Sequence, residues 1–133
     1  MRSSLASLLL LVALGVDQPT LQPMAVHVES LTYPVVARAA QIQGAVDVKI
    51  SIDSQGKVSS AFATSGHPLL KKSAEKNIRT WRFDTSSSEN RQLTVRYEFV
   101  LELPRTSYPP ESRNLFDFPT RITVISSVPE PQP

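Results

Sequence analysis

Residues 65–83 read SGHPLLKKSAEKNIRTWRF, and this pattern predicts one amphipathic helix between two β-strands. At about 100° per residue, the apolar side chains share an arc of about 80°, and they are Leu70, Ala74, Ile78 and Trp81. The opposite side is mostly charged, as in a helix that covers a core. Trp81 is the only tryptophan, so we expect the core to form beneath it. Asn77 falls inside the apolar arc, where it either hydrogen-bonds to a loop backbone or marks the frayed edge of the stripe.

The composition is that of one globular domain with short extensions. The chain has 133 residues, of which 41% are hydrophobic and 20% charged, which excludes an intrinsically disordered protein. A formal net charge of +2 is too small for a nucleic-acid-binding face. The chain has no cysteine, which excludes disulfides and thiolate chemistry. Prolines cluster outside residues 35–103, apart from Pro68, so the middle of the chain is predicted to be the folded unit.

The N-terminal segment predicts export. Arg2 precedes an uncharged run of about 12 residues, shorter than the roughly 20 that span a bilayer, and Ala13 and Gly15 give a small-x-small pattern. Residues 1–15 are therefore interpreted as a cleaved secretory signal, and the mature protein is expected to be periplasmic or secreted. The alternatives are a buried N-terminal helix and an inner-membrane anchor that leaves the chain facing the periplasm. Residues 16–31 are interpreted as a linker, with a short edge strand around Val26 and Val28.

The folded middle, residues 32–103, begins with a short predicted helix and a hairpin. The helix covers residues 32–41, with Thr32 as cap and with Val36, Ala39 and Ala40 on one side. Residues 44–53 alternate apolar with polar side chains, which predicts the first strand. A turn follows in which Gly56 supplies a positive φ, and residues 57–64 return as the second strand.

After the amphipathic helix and a polar loop, residues 93–103 alternate again and predict the longest strand. The order is therefore helix, strand, strand, helix, strand. We expect an antiparallel sheet in the order 2-1-3, covered by both helices on one face, which makes an α+β, two-layer domain. The third strand would lie at an edge, with unpaired backbone groups unless something docks there.

An ordered set of motifs resembles the C-terminal domain of TonB-type energy transducers. The TolA C-terminal domain has a similar fold, but the Tyr-Pro and Trp-Arg-Phe pieces favour the TonB type. The motif residues are Tyr33, Pro34, Gly44, Gly56, Gly66, Pro68, Trp81 and Phe83. The resemblance covers roughly residues 32–103.

The resemblance implies a periplasmic domain that binds outer-membrane receptors through strand addition beside the third strand. The implied partner-binding residues are Arg91, Leu93, Val95, Arg96, Tyr97, Glu98 and Phe99. Another envelope protein, or a second copy of the chain in a homodimer, is the alternative partner.

Two features depart from a full energy transducer. The linker is about 16 residues and reaches only about 55 Å when extended, so force transmission across a periplasm is not expected. The alternative function is therefore a structural or assembly adaptor with the same fold. Residues 104–133 form a Pro-rich tail in which residues 121–128 are β-prone. We hypothesise that this tail strand folds back onto an exposed sheet edge and, on the third strand, blocks receptor binding.

Signals for catalysis are weak, so the chain is not expected to be an enzyme. His27 and His67 are far apart in sequence, and His67 is interpreted as a capping or loop residue. Asp47 and Asp53 on one strand would be about 20 Å apart, too far for paired acid–base work. No metal-ligand spacing is present, so no metal is expected. No cofactor, nucleic acid or small-molecule substrate is expected either. The basic helix face is interpreted as solvated, with an acidic partner as the alternative.

Overall fold

The alternating stretches in the middle of the chain form three strands of a five-stranded sheet, and the tail supplies the other two. The structure is a computed structural model, and it describes residues 22–103, 112–117 and 121–129. The elements are β1 (Met24–His27), α1 (Val35–Ala39), β2 (Gly44–Ile52), β3 (Val58–Ser65), α2 (Pro68–Ile78), β4 (Arg82–Asp84), β5 (Gln92–Glu102), β6 (Arg113–Asp117) and β7 (Arg121–Ser127). The predicted signal, residues 1–15, lies outside the described residues.

The order of the sheet is β3-β2-β5-β7-β6. β2 pairs antiparallel with β3 on one side and with β5 on the other, which confirms the predicted order of the first three strands. The two tail strands extend this sheet, because β7 pairs parallel with β5 and β6 pairs antiparallel with β7. The architecture is α+β, as predicted, and side chains from both helices join its core.

The strand faces follow the sequence alternation closely. In β2, the inward side chains are all buried, and they are Val46, Val48, Ile50 and Ile52. In β3, Ala61 and Ala63 face the core, where their small side chains leave room for α2. Phe62 lies between them on the other face of the sheet and is 68% exposed. Gly56 in the turn has φ +83°, and a Cβ there would collide with the carbonyl oxygen of Phe83. The hairpin therefore requires glycine at this position.

Helix α2 buries the predicted stripe. Leu70, Ala74 and Ile78 are 0% exposed and Trp81, just beyond the helix, is 1% exposed. The helix begins at Pro68, and the backbone N–H of Leu69 donates to Nδ1 of His67 at 3.2 Å. The capping interpretation of His67 is thus confirmed. The stripe packs over β2 and β3.

Asn77 is the polar residue within this apolar stripe, and it is 8% exposed. Its side-chain amide donates to the carbonyl of Glu29 at 3.0 Å. Its Oδ1 accepts from the indole N–H of Trp81 at 3.2 Å and from the hydroxyl of Tyr97 at 2.8 Å. Burial raises the pKa of Tyr97, so the phenol stays protonated and donates. Of the two alternatives, the bond to a loop backbone is confirmed.

Two predictions about helix α1 are wrong: its cap and its buried side. Helix α1 has no side-chain cap, since Pro34 stands at its N-cap. Its buried residue is Ala37, whereas Val36 is 65% exposed. The reason is that Tyr33, four residues before Ala37, fixes the inward side by packing edge-on against Phe99, with ring centroids 5.5 Å apart.

A second, two-stranded sheet also forms at the end of the core. In it β1 pairs antiparallel with β4, and Ala25 lies opposite Phe83. The sequence pattern predicted a short strand near Val26 but no strand at Arg82–Asp84, because three residues are too few to show alternation. Phe83 is 4% exposed and packs against Trp81, so this small sheet closes one end of the core.

Candidate functional site

The predicted binding strand is β5, and its side chains divide into two sets. Leu93, Val95, Tyr97 and Phe99 are buried and belong to the core. Arg96 and Glu98 point away from it. Arg91 precedes the strand, and its carbonyl accepts from the backbone N–H of Ile52 at 2.7 Å. A partner beside β5 would therefore meet mainly backbone groups and the outward charged side chains.

The edge of β5 is covered along most of its length by β7. The two strands run parallel, from Arg96 opposite Arg121 to Glu102 opposite Ser127. The expectation of an open third-strand edge is therefore wrong for residues 96–102, and the hypothesis that the tail folds back onto the sheet is confirmed. The role of these residues in binding a partner stays a prediction. Residues 92–95 have no partner in β7.

Buried apolar side chains hold the tail on the sheet. Ile122 and Val124 are 1% and 0% exposed, on the same face as Tyr97 and Phe99. The ring of Phe116 on β6 lies 6.2 Å from that of Trp81. The β-prone composition of residues 121–128 predicted a strand, and the burial of Ile122 and Val124 explains why this strand packs on the hydrophobic core.

Polar side chains also join the tail to residues near the start of the domain. The side chain of Asn114 accepts from the backbone N–H of Leu31 at 2.7 Å and donates to its carbonyl at 2.9 Å. The hydroxyl of Ser112 accepts from the backbone N–H of Tyr33 at 2.9 Å. Arg38 donates to the carbonyl of Ser127 at 2.8 Å. Sequence reasoning missed these contacts, since nothing local marks partners so distant along the chain.

The other long edge of the sheet, along β3, is closed by side chains of α2. The carboxylate of Glu75 accepts from the backbone N–H of Ala63 at 2.8 Å. The guanidinium of Arg79 donates to the carbonyl of Ala61 at 3.0 Å. These two bonds use backbone groups that an added strand would need. Two of the charged residues of the helix thus protect a sheet edge, a role that the helical wheel did not predict.

Ion pairs cross the outward face of the sheet. The guanidinium of Arg96 holds both carboxylate oxygens of Asp47, at 2.9 and 3.1 Å. This hydrogen bond lowers the pKa of Asp47. Glu98 lies 3.7 Å from Arg121 and joins β5 to the tail. Because these groups are partly exposed, each pair stabilises the fold modestly.

The residues of the family motif serve the fold. Tyr33 and Trp81 are buried, and Pro34 and Pro68 stand at the starts of the two helices. Gly66 has φ +115°, and a Cβ there would lie 2.6 Å from Cγ2 of Val46 and 2.9 Å from the carbonyl oxygen of Ala45. Gly44 opens β2 and has open space beside it. Most of these residues would therefore not contact a partner directly, and would affect binding only through the shape that they give the sheet.

Possible metal ligands are not clustered in the described ranges. No group of three histidine, cysteine or carboxylate side chains there is placed to hold a metal ion. His27 pairs with Glu29 at 2.8 Å on the surface. An open groove of about 380 Å³ lies on the sheet between Lys49, Phe62 and Thr94. The non-enzymatic role stays a prediction.

These features define a two-layer α+β domain whose sheet is extended beside β5 by the two strands of the tail. The chain belongs to the TonB C-terminal family, because the model for the Gram-negative bacterial TonB protein C-terminal domain matches residues 29–102, more than half of the chain. No curated protein is similar enough to count as a relative. The chain is thus an envelope-associated TonB-like module, and domains of this family are periplasmic and interact with outer-membrane proteins. Among the residues that the structure describes, no helix is both long enough and apolar enough to cross a membrane.

Proposed function

We propose that the chain is a non-enzymatic protein-binding module of envelope transport. It takes up an extended segment of an outer-membrane receptor, or of another envelope protein, as a strand beside β5. In the free protein β7 occupies this edge, and the partner replaces it. The observation that carries the proposal is the parallel pairing of β7 with residues 96–102, because β7 lies beyond the residues that match the family. That pairing supports an edge suited to strand addition.

The cost of replacing β7 sets the affinity that we expect. β7 buries Ile122 and Val124, and burial of an aliphatic side chain of this size contributes about 1.5–3 kcal/mol. A partner that buries nothing equivalent loses roughly 3–6 kcal/mol relative to an open edge, which weakens its dissociation constant about 10²–10⁴-fold. We therefore expect preferred partner segments to carry aliphatic residues at two alternating positions.

A second candidate is a structural adaptor that binds an envelope component without displacing its tail. The observation that favours it is that β7 covers β5, while Glu75 and Arg79 occupy backbone groups on the edge of β3. In this case the partner would contact the outward face or the basic side of α2. A contact with the basic side would weaken as salt is raised.

Both candidates place the protein outside the cytoplasm. The signal interpretation of residues 1–15 is part of the proposal, and it predicts a mature chain that starts near Val16. Expression of the full chain in a Gram-negative host, followed by fractionation and N-terminal sequencing, tests it. A full-length product retained in the inner membrane would contradict cleavage and favour an anchored protein.

A reversible lock on β7 tests the displacement. Glu98 and Thr123 are neighbours on β5 and β7, and the chain has no cysteine of its own. Glu98→Cys with Thr123→Cys therefore allows a single disulfide between adjacent strands. The matched control is Ser51→Cys with Ser60→Cys, which joins the neighbouring β2 and β3 and leaves the tail alone.

The probes are labelled synthetic peptides that copy the N-terminal segments of outer-membrane receptors from the source organism. We expect the reduced β5–β7 variant to bind such a peptide at least tenfold more tightly than the oxidised form, and the control to bind equally in both states. Equal binding by locked and unlocked protein would refute displacement and favour the adaptor. If no receptor peptide binds the reduced protein, the receptor proposal is wrong.

A further inference from the structure

Helix α2 carries positive charge that the helices do not compensate. Its lysines are Lys71, Lys72 and Lys76. The one carboxylate on α1 and α2 is that of Glu75, and it is turned toward the sheet edge, where it accepts from the backbone N–H of Ala63. Within the described part of the chain, none of the ion pairs includes a lysine. These lysines are therefore available to an anionic partner.

The outer side of α2 joins two of these lysines to an exposed leucine. At about 100° per residue, Lys72 and Lys76 lie on the side of the helix farthest from the core, and both are exposed. Glu75 marks the side of α2 toward β3. Leu69 lies on the other side, away from β3, and is 39% exposed. Since α2 packs over β2 and β3, this other side is turned toward α1.

Helix α1 continues the surface with two exposed valines. Val35 and Val36 are 78% and 65% exposed, whereas Ala37 is buried. Arg38 reaches the carbonyl of Ser127 on β7, and Val36 lies about 200° around the helix from Arg38, on the side toward α2. Because α1 and α2 contact each other, the two valines, the exposed leucine of α2 and its lysines form one surface, which we call the helical surface.

Exposed aliphatic side chains beside lysines are typical of a protein surface that lies on an anionic bilayer. The ammonium groups attract lipid phosphates, while the aliphatic side chains enter the boundary between headgroups and acyl chains. We propose that the helical surface binds an anionic membrane, with Val35, Val36 and Leu69 toward the bilayer and Lys72 and Lys76 among the headgroups.

The outward face of the sheet is less suited to this role. Phe62 is exposed there as well, but the same face carries the carboxylates of Asp47 and Glu98, each beside an arginine. An anionic bilayer would repel these carboxylates. The helices cover a face of the sheet and not the β5 edge, so membrane binding leaves that edge accessible. Lipid binding goes beyond the partner proposed for β5 and is measured without one.

Vesicle binding tests the charge. The purified full chain is sedimented with phosphatidylcholine vesicles that contain either no phosphatidylglycerol or about 30% of it; the apolar N-terminal run contributes equally to both. We expect binding that requires phosphatidylglycerol and weakens as salt is raised. Each lysine near an anionic surface strengthens binding about fivefold, so Lys72→Glu with Lys76→Glu should weaken it at least about 25-fold.

The matched control is Lys49→Glu with Lys57→Glu, which gives the same net charge but lies outside the helical surface. It should weaken binding by less than about threefold. Circular dichroism checks that each variant is folded. Binding that does not require phosphatidylglycerol, or an equal loss in the two double variants, would overturn the proposal.

A fluorescent label identifies the face that meets the membrane. The chain has no cysteine, so Val36→Cys allows a dye on the helical surface and Phe62→Cys allows one on the outward face of the sheet. The two positions are matched in exposure, at 65% and 68%. An environment-sensitive dye should shift to the blue on phosphatidylglycerol vesicles at residue 36 and not at residue 62. A shift at residue 62 alone, or at neither position, would contradict the assignment.

Discussion

Replacement of Asn77 by alanine tests the polar centre of the core most sharply. Asn77 joins the end of its own helix to two segments that are distant in sequence. Its amide donates to the carbonyl of Glu29, and its Oδ1 accepts from Tyr97 and from nearby Trp81. Trp81 and Tyr97 are 1% and 0% exposed, so water cannot replace the lost acceptor. Alanine therefore leaves an indole N–H and a phenol O–H buried and unpaired, whereas the carbonyl of exposed Glu29 can turn to solvent.

The cost follows from those two donors. An unsatisfied buried polar group costs about 1–3 kcal/mol, so the two together predict a loss of about 2–6 kcal/mol in the free energy of unfolding. A small domain has about 5–15 kcal/mol in total, and the variant should lose a large fraction of its stability. The removed amide side chain adds a small cavity term in the same direction.

Urea denaturation followed by circular dichroism measures this loss, because the signal does not depend on the environment of Trp81. Tyr97→Phe provides the control, since it removes one of the two donors in advance. In the Tyr97→Phe background we expect Asn77→Ala to cost about 1–3 kcal/mol less. A cost below about 1 kcal/mol for Asn77→Ala alone, or no coupling between the two sites, would refute the reasoning.

Three further predictions concern the tail, the pH dependence and the core. Ile122→Ala should destabilise the fold by about 2–5 kcal/mol, whereas exposed Leu115→Ala should cost about 0.5 kcal/mol or less; equal losses in urea titrations would show that the tail does not join the core. Because its hydrogen bond with Arg96 lowers the pKa of Asp47 when folded, that contribution is complete above the unfolded pKa of about 4 and is lost as the pH falls through the folded value. Asp47→Asn should flatten stability in this acidic range, and an unchanged pH profile would contradict the pair. Trp81→Ala should cost about 3–5 kcal/mol, and a loss under about 1 kcal/mol would show that this side chain is not buried.

The strands and the main helix were predictable because their side chains repeat at the period of each structure. Val46 to Ile52 alternate in a strand that is buried on one face only, and the stripe from Leu70 to Trp81 follows the helical period. A helix between two strands has few ways to cross the sheet, which determined the order of the first three strands. The same reasoning identified β5 as a strand with an edge to cover.

Short elements and distant polar contacts were not predictable. Helix α1 spans a single turn, too little for its pattern to choose a side, and Tyr33 decided it through Phe99. The clamps from Asn114 to Leu31 and from Arg38 to Ser127 join opposite ends of the domain. No local signal marks such a pair, because Asn and Arg are mostly exposed residues and nothing in their neighbourhood distinguishes one that has a distant partner.

The edge of β5 was predictable only in part. The sequence pattern indicated both a strand that needed a neighbour and a β-prone tail, and we hypothesised that the tail folds back onto an exposed edge, but the pattern alone did not say which edge it takes. Burial joined them, because Ile122 and Val124 match the apolar face of β5. The closing of β3 by Glu75 and Arg79 was hidden for a different reason, since charged residues on a helix usually face solvent.

Hydrogen exchange on the protein with and without a bound receptor peptide tests most directly whether a partner replaces the tail. The amides of β5 and β7 are read separately in each state. If the partner takes the place of β7, binding should remove protection from residues 122–127 while the amides of β5 stay protected by the new strand. Protection of β7 that persists, or rises, in the saturated complex would contradict the account.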